Sequence, residues 1–208
     1  MAGKYDRFVF LVSMGRIRKW QSEMLSAMPT QDFLLDLGTG TGEVACLAVQ
    51  KGAGNVIGLD LVFEMLGVAR EKFPFVHFIN GDVKCLPVRK DSVDALTLSF
   101  CFRYLTSPET FLDEARRVLR NNGKIGILDI CSAGKAKLVV RIIKPLLLAI
   151  AYFLKFFTKR KEHPLDILQK RYTVDEIKGM LEKHGFSLTY EKTHFLGKVA
   201  ILSAVLKK

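Results

Sequence analysis

Residues 34–42 read Leu-Leu-Asp-Leu-Gly-Thr-Gly-Thr-Gly, an apolar strand running straight into three alternating glycines, Gly38, Gly40 and Gly42. A second apolar stretch, residues 56–59, ends on Asp60, 18 residues after the last of these glycines. Glycines at such a turn let the backbone approach a ligand without a Cβ in the way, and the helix that follows aims its N–H groups at it. A carboxylate at the end of the next strand can accept two hydrogen bonds from a ribose diol. The 22 residues from Gly38 to Asp60 lie close to the ~20 such a unit needs. The pattern therefore predicts a β–loop–α–β unit built around a nucleotide-type cofactor. A dinucleotide fingerprint would carry a further glycine one position on, for close helix–strand packing, and Glu43 stands there instead.

The rest of the chain alternates in the same way. Apolar runs predict strands at 33–37, 55–60, 76–80, 93–99 and 124–130, and amphipathic runs predict helices at 42–52, 62–72 and 108–119. The triplet Asn121-Asn122-Gly123 tolerates left-handed backbone and is expected to end the last of these helices. Gly81-Asp82 follows the third strand, and read locally Asp82 is a turn or helix N-cap residue. Thr173 with Glu176 has capping-box spacing, and the helix it opens should stop before Gly185. Two strands, 186–192 and 198–206, joined by a turn at Leu196-Gly197, close the chain. The fold class expected is α/β: a doubly wound, mostly parallel seven-stranded sheet ending in an antiparallel hairpin. A single domain is expected, with lid or packing helices at 1–32, a core at 33–130, an apolar and basic segment at 131–172, and a helix and hairpin at 173–208.

Net charge bears on partners. It is +11, and residues 134–163 hold eight Lys or Arg against one Glu, so +7 of it sits in thirty residues. That charge lies beside the most apolar stretch, 138–157, which points to an anionic membrane surface in preference to nucleic acid. On a helix, Lys137, Arg141, Lys144, Lys155 and Lys159 would form one narrow basic stripe, with Pro145 kinking it. The longest uncharged run, 145–154, is ten residues, about 15 Å of helix and half of what a bilayer core requires. The segment is expected to lie on a membrane between residues 137 and 159, or to cap a buried pocket. Cys46, Cys85, Cys101 and Cys131 show no CxxC spacing, which suggests reduced thiols and a cytoplasmic setting, peripheral on the inner membrane face. His77, His163, His184 and His194 stand far apart, so no metal site is expected.

With these features in hand, the chain resembles the class I S-adenosylmethionine-dependent methyltransferases, and within them the ubiquinone/menaquinone biosynthesis C-methyltransferase family. Asp-Leu-Gly-Thr-Gly-Thr-Gly is similar to motif I of the class. Tyr5-Asp6, Ser13-Met14-Gly15, Arg18 and Trp20 resemble the family's opening motif. Leu86-Pro87 resembles its Ala-Leu-Pro turn, and Asp91-Ser92-Val93-Asp94 its Asp-x-x-Phe-Asp step. Ser99-Phe100-x-x-Arg103 resembles its Ser-Phe-Gly-x-Arg-Asn segment, and Arg117-Val118-Leu119 to Gly123 its approach to strand five. The chain departs from the family at Cys101 (Gly there), at Tyr104 (Asn) and at Asn121-Asn122 (Pro-Gly). The first two changes fall where a substrate would sit. The resemblance implies S-adenosylmethionine as cofactor, lined by Asp36, Gly38, Thr39, Gly40, Gly42, Asp60, Leu61, Met65, Gly81, Asp82, Val83, Ser99 and Phe100. Asp82 would bind the adenine amino group.

Methyl transfer to carbon needs alignment and a nucleophilic carbon, which a quinol supplies once a neighbouring hydroxyl ionises. Arg103 follows strand four, where ligands of open α/β sheets bind, and a cation there favours the phenolate. The plainer reading of Arg103 is a surface residue paired with Asp113 or Glu114. Tyr5 could add a hydroxyl from an N-terminal lid, although residues 1–32 read as readily as a packing helix. The favoured expectation is C-methylation of a lipophilic, membrane-resident quinol precursor. A lipid or other lipophilic N- or O-methyltransferase, an RNA-binding protein and a non-catalytic cofactor-binding module remain as alternatives.

Overall fold

A computed structural model of the chain describes residues 13–28, 32–132, 172–195 and 197–208. Tyr5, Asp6, the basic stripe between 137 and 159, and Leu196 lie outside these residues. The first helix described is α1 (Ile17–Ser26). The core then runs β1 (Phe33–Leu37), α2 (Glu43–Gln50), β2 (Asn55–Asp60), α3 (Phe63–Lys72), β3 (His77–Asn80) and β4 (Val93–Ser99). After a short 3₁₀ turn at Phe102–Tyr104 come α4 (Pro108–Val118) and β5 (Leu119–Ile130), and the chain closes with α5 (Val174–Lys183), β6 (Phe186–His194) and β7 (Val199–Leu206).

The seven strands form one sheet in the order β3-β2-β1-β4-β5-β7-β6. β1 is parallel to β2 and β4, β2 to β3, and β4 to β5, whereas β7 runs antiparallel between β5 and β6. Strand order reverses between β1 and β4, so the crevice beyond their carboxyl ends is where an open α/β sheet receives its ligand. Leu37 is in register with Leu98, which sets the glycine loop after β1 beside the segment after β4.

Two hydrophobic layers cover the sheet. On one face Leu35, Leu37, Leu96, Leu98, Ile125 and Ile127 meet Phe111, Leu112 and Ala115 of α4 and Ile177 and Leu181 of α5. On the other, Leu34, Val56, Ala95 and Leu128 meet Trp20 and Met24 of α1, Val44 and Ala48 of α2, and Leu66 and Ala69 of α3. Alternation along each strand assigns the faces, as period two requires. Helix α1 is thus a packing helix. Gly126 makes room for it, since a Cβ there would come within 2.4 Å of the Met28 Cε.

Most expected elements fall within a residue or two of their places. Thr173 caps α5 in a complete capping box, and Gly185, at φ +81°, follows its end. The segment 119–123 corrects the sequence reading. Helix α4 ends at Val118, and the next residues already belong to β5, where the pairing with β4 jumps from Val93↔Leu119 to Ala95↔Lys124. Asn122 does take the left-handed conformation, at φ +63°, but inside this bulge and not as a helix cap. Among the described residues no helix is long and apolar enough to cross a membrane.

Candidate active site

The glycine loop is shaped by backbone that side chains resist: Gly38, Gly40 and Gly42 have φ of +65°, +56° and +85°. Three of its amides are spent inside the protein. Thr39 N donates to Leu59 O at 3.0 Å, Gly40 N to Asp60 Oδ2 at 2.8 Å, and Gly42 N to Thr39 O at 2.9 Å. Those three donors are therefore not presented to a pyrophosphate. The other Asp60 oxygen accepts from Val62 N at 2.8 Å, which fixes the carboxylate at the end of β2 while each oxygen keeps a lone pair for a diol.

Asp36 lies beneath the loop, 1% exposed. It accepts from Thr39 Oγ1 at 2.6 Å and from Thr97 Oγ1 at 2.7 Å, so it ties the loop to β4. Burial pushes its carboxyl up to about 6, against the pull of the two hydroxyls and with Asp60 adding to the rise. Met65 reaches under the loop, its Cε 3.6 Å from where a Cβ on Gly40 would lie. Leu61 is exposed beside Asp60. Gly81 N donates to Asp60 O at 3.1 Å, which brings the end of β3 alongside. Asp82 accepts from Lys84 N at 2.9 Å and lies 3.4 Å from Lys84 Nζ, so its carboxylate closes a local turn. Val83 packs against the core.

At the end of β4, Ser99 accepts from Gln21 Nε2 of α1 at 3.3 Å. Phe100 takes φ +56°, left-handed backbone that is rare for a bulky residue and worth noting beside a ligand crevice. The turn sets Cys101 against the glycine loop, where a Cβ on Gly38 would come within 2.4 Å of its Sγ. Burial and then Asp129, Asp60 and Asp36 push the Cys101 thiol up to about 12, so it stays protonated. The same three carboxylates outnumber the one guanidinium nearby, a field suited to a cationic ligand.

Arg103 pairs with neither residue weighed from the sequence. Asp113 lies 3.7 Å from His184, and Glu114 binds Arg117 at 2.7 Å. Arg103 turns inward, its side chain 10% exposed, and bonds Asp129 at the end of β5 through Nη1 at 2.7 Å. Nη2 donates to the Tyr104 hydroxyl at 3.2 Å, and the guanidinium stacks 4.7 Å from the Tyr104 ring centre and 5.7 Å from that of Phe100. Its Nε is buried with no partner. Gln21 and Asp129 were missed from the sequence. For Asp129 a signal existed, an acid inside the apolar run 125–130, whereas Gln21 carried none.

A methyltransferase domain family matches residues 35–127. A demethylmenaquinone methyltransferase of Thermotoga maritima is 30% identical over 202 residues, covering 94% of this chain and 88% of that protein. The chain belongs to the class I S-adenosylmethionine-dependent methyltransferases. A second demethylmenaquinone methyltransferase, from Chlamydia felis, is 32% identical over 159 residues, 75% of this chain and 66% of that protein. A solved S-adenosylmethionine-dependent methyltransferase of Thermotoga maritima superimposes with a TM-score of 0.70 at 18% identity, covering 100% and 96% of the two chains, and so shares the fold. The cofactor of this methyltransferase is S-adenosylmethionine. The loop fits it: the spent amides suit a group without a pyrophosphate, and the surrounding acids suit a sulfonium.

Proposed function

We propose that this methyltransferase modifies a ring carbon of a lipophilic quinol precursor. The observation that carries the reading is the unpartnered Nε of Arg103, a buried donor on the turn that follows β4. A buried donor left unmade costs about 1–3 kcal/mol, and an acceptor oxygen would recover it. Bound S-adenosylmethionine supplies an electrophilic methyl group. The chain's own residues do the rest: Asp60 and the glycine loop orient, Met65 and Phe100 line, and Arg103 favours the ionised hydroxyl that makes the adjacent carbon nucleophilic. Arg103 stays protonated and holds the phenolate; it does not itself remove the proton. Tyr5 lies outside the described residues, and the family resemblance makes its hydroxyl a second candidate for the acceptor.

Two further points support a quinol over a cationic amine. The rings of Phe100 and Tyr104, the kind that cage an ammonium, are already occupied by Arg103. The relatives matched along most of the chain carry the name demethylmenaquinone methyltransferase. The basic and apolar segment 137–159 would hold the enzyme peripherally on anionic lipid, where such an acceptor resides.

Labelled S-adenosylmethionine incubated with the protein and a lipid extract of its own host tests the reading. Label in a quinone is expected, and label in a phospholipid amine would overturn it. With the quinol in hand, Arg103→Ala should lower turnover ~100-fold or more while S-adenosylhomocysteine affinity holds. Lys at this position should rescue only partly, because an ammonium lacks the planar fork.

A further inference from the structure

Arg103 is held by one residue that grips it twice. Asp129 Oδ1 accepts from Arg103 Nη1 at 2.7 Å, and Asp129 Oδ2 accepts from the Arg103 backbone N at 3.0 Å. The first bond fixes the guanidinium, and the second fixes the 3₁₀ turn that carries it. Ile130 N adds a third donor, to Oδ1 at 2.6 Å. Asp129 is 2% exposed, on the sheet face shared with Ile125 and Ile127. Burial pushes its carboxyl up, against Arg103 and the two amides, yet three donors on two oxygens suit the ionised form.

A buried ion pair adds little to a fold that well-packed apolar residues could not also supply, so stability alone is a weak reason for an acid in this strand. Here the pair with Asp129 and the bond to Tyr104 engage one N–H of each terminal nitrogen of Arg103, while the Phe100 and Tyr104 rings hold its plane. What remains buried and unused is Nε. Asp129 also sets a carboxylate against the guanidinium's charge.

We propose that Asp129 is a positioning residue. It locks the guanidinium so that Nε, the nitrogen without a partner, is left for the acceptor oxygen, and it sets how strongly Arg103 favours that oxygen's ionised form. The inference rests on the quinol reading of Arg103. The groups facing the guanidinium are then Asp129 from β5 and Tyr104 and Cys101 from the segment after β4. Arg103 reaches the acceptor as an oriented donor within a neutral pair, not as a bare cation.

The test is Asp129→Asn, which keeps the shape and one acceptor oxygen but removes the charge. Plateau kcat should fall about tenfold or more as Arg103 loses its lock. The acid limb of kcat against pH should move to lower pH by about one unit, because the freed charge of Arg103 makes the acceptor hydroxyl more acidic. A purely structural residue would lower the plateau and leave the limb in place. Asp129→Glu restores the charge and should return the limb to its wild-type position even where kcat recovers only in part, and it serves alone if Asp129→Asn does not fold. Adding Asp129→Asn to Arg103→Ala should cost no more turnover than Arg103→Ala alone. S-adenosylhomocysteine affinity should hold in every variant that folds. The Arg103 Nε–H resonance should be sharp in the wild type, shift on adding quinol, and broaden in Asp129→Asn. Wild-type plateau and limb in Asp129→Asn, or additive losses in the double variant, would overturn the positioning role while leaving the quinol reading intact. Unchanged turnover in Arg103→Ala would overturn both.

Discussion

The carboxylates of this site divide their work by burial. Asp60, partly exposed, is pinned by Gly40 N and Val62 N and keeps lone pairs toward the crevice. Asp60→Ala should therefore weaken S-adenosylmethionine binding by about 1.5–3 kcal/mol, the worth of hydrogen bonds to a charged acceptor. Calorimetry checks it, with the thermal midpoint as control for the fold. Asp36, fully enclosed, holds the loop to β4 and faces no solvent. Its carboxyl lies at about 6 in the folded protein, above the ~4 of an unfolded chain. Between those values the folded state binds more protons, so this contribution is complete below pH ~4 and is lost as pH rises through ~6. Asp36→Asn cannot ionise. From pH 4 to pH 7.5 its stability relative to wild type should improve by up to ~3 kcal/mol, read from urea unfolding at the two pH values. A constant difference would mean that Asp36 titrates as an ordinary carboxyl.

Several segments that resemble the family turn out to be struts between elements. Arg117 of α4 donates to Leu86 O and Val88 O at 2.9 Å each, and Glu114 accepts from Leu86 N at 2.9 Å, so the Leu86-Pro87 turn is clamped onto the helix. Asp94 accepts from Phe33 N at 2.9 Å and from Arg120 at 2.6 Å, tying the start of β1 to β4 and β5. Helix α1 reaches the site through Gln21 and is anchored at its other side by Glu23, which accepts from the Tyr190 hydroxyl at 2.7 Å and meets His194 at 3.1 Å. Helix α5 begins beside the crevice, where Tyr172 packs edge-on against Phe102. Its cap is a complete reciprocal pair, Glu176 N to Thr173 Oγ1 at 3.2 Å and Thr173 N to Glu176 Oε2 at 2.7 Å. Thr173→Ala should cost ~1 kcal/mol of stability in urea unfolding and leave cofactor affinity unchanged.

For the whole molecule, the net charge of +11 and its concentration in residues 134–163 make a prediction about location. Each basic side chain near an anionic surface contributes on the order of 1 kcal/mol, screened by salt, whereas apolar contact is not. Sedimentation with vesicles should rise with anionic lipid and fall incompletely at high salt. Lys144, Lys155 and Lys159 changed together to Gln should shift partitioning strongly and spare turnover on a short-tailed soluble quinol. Absence of binding at low salt would defeat the membrane reading. The sequence by itself determined what short-range rules govern: strands from apolar runs, the glycine loop from its need for positive φ, Asp60 from its distance along the chain, and the α5 cap from a three-residue spacing. It also marked Arg103, by its place after β4. Only the tertiary structure decided that residue's partner. Asp129 lies 26 residues away on the neighbouring strand, and Gln21 meets Ser99 across 78. The bulge in β5 likewise answers to its pairing with β4, not to its own composition. Such contacts depend on which strands the sheet makes adjacent, and local spacing carries no record of that order.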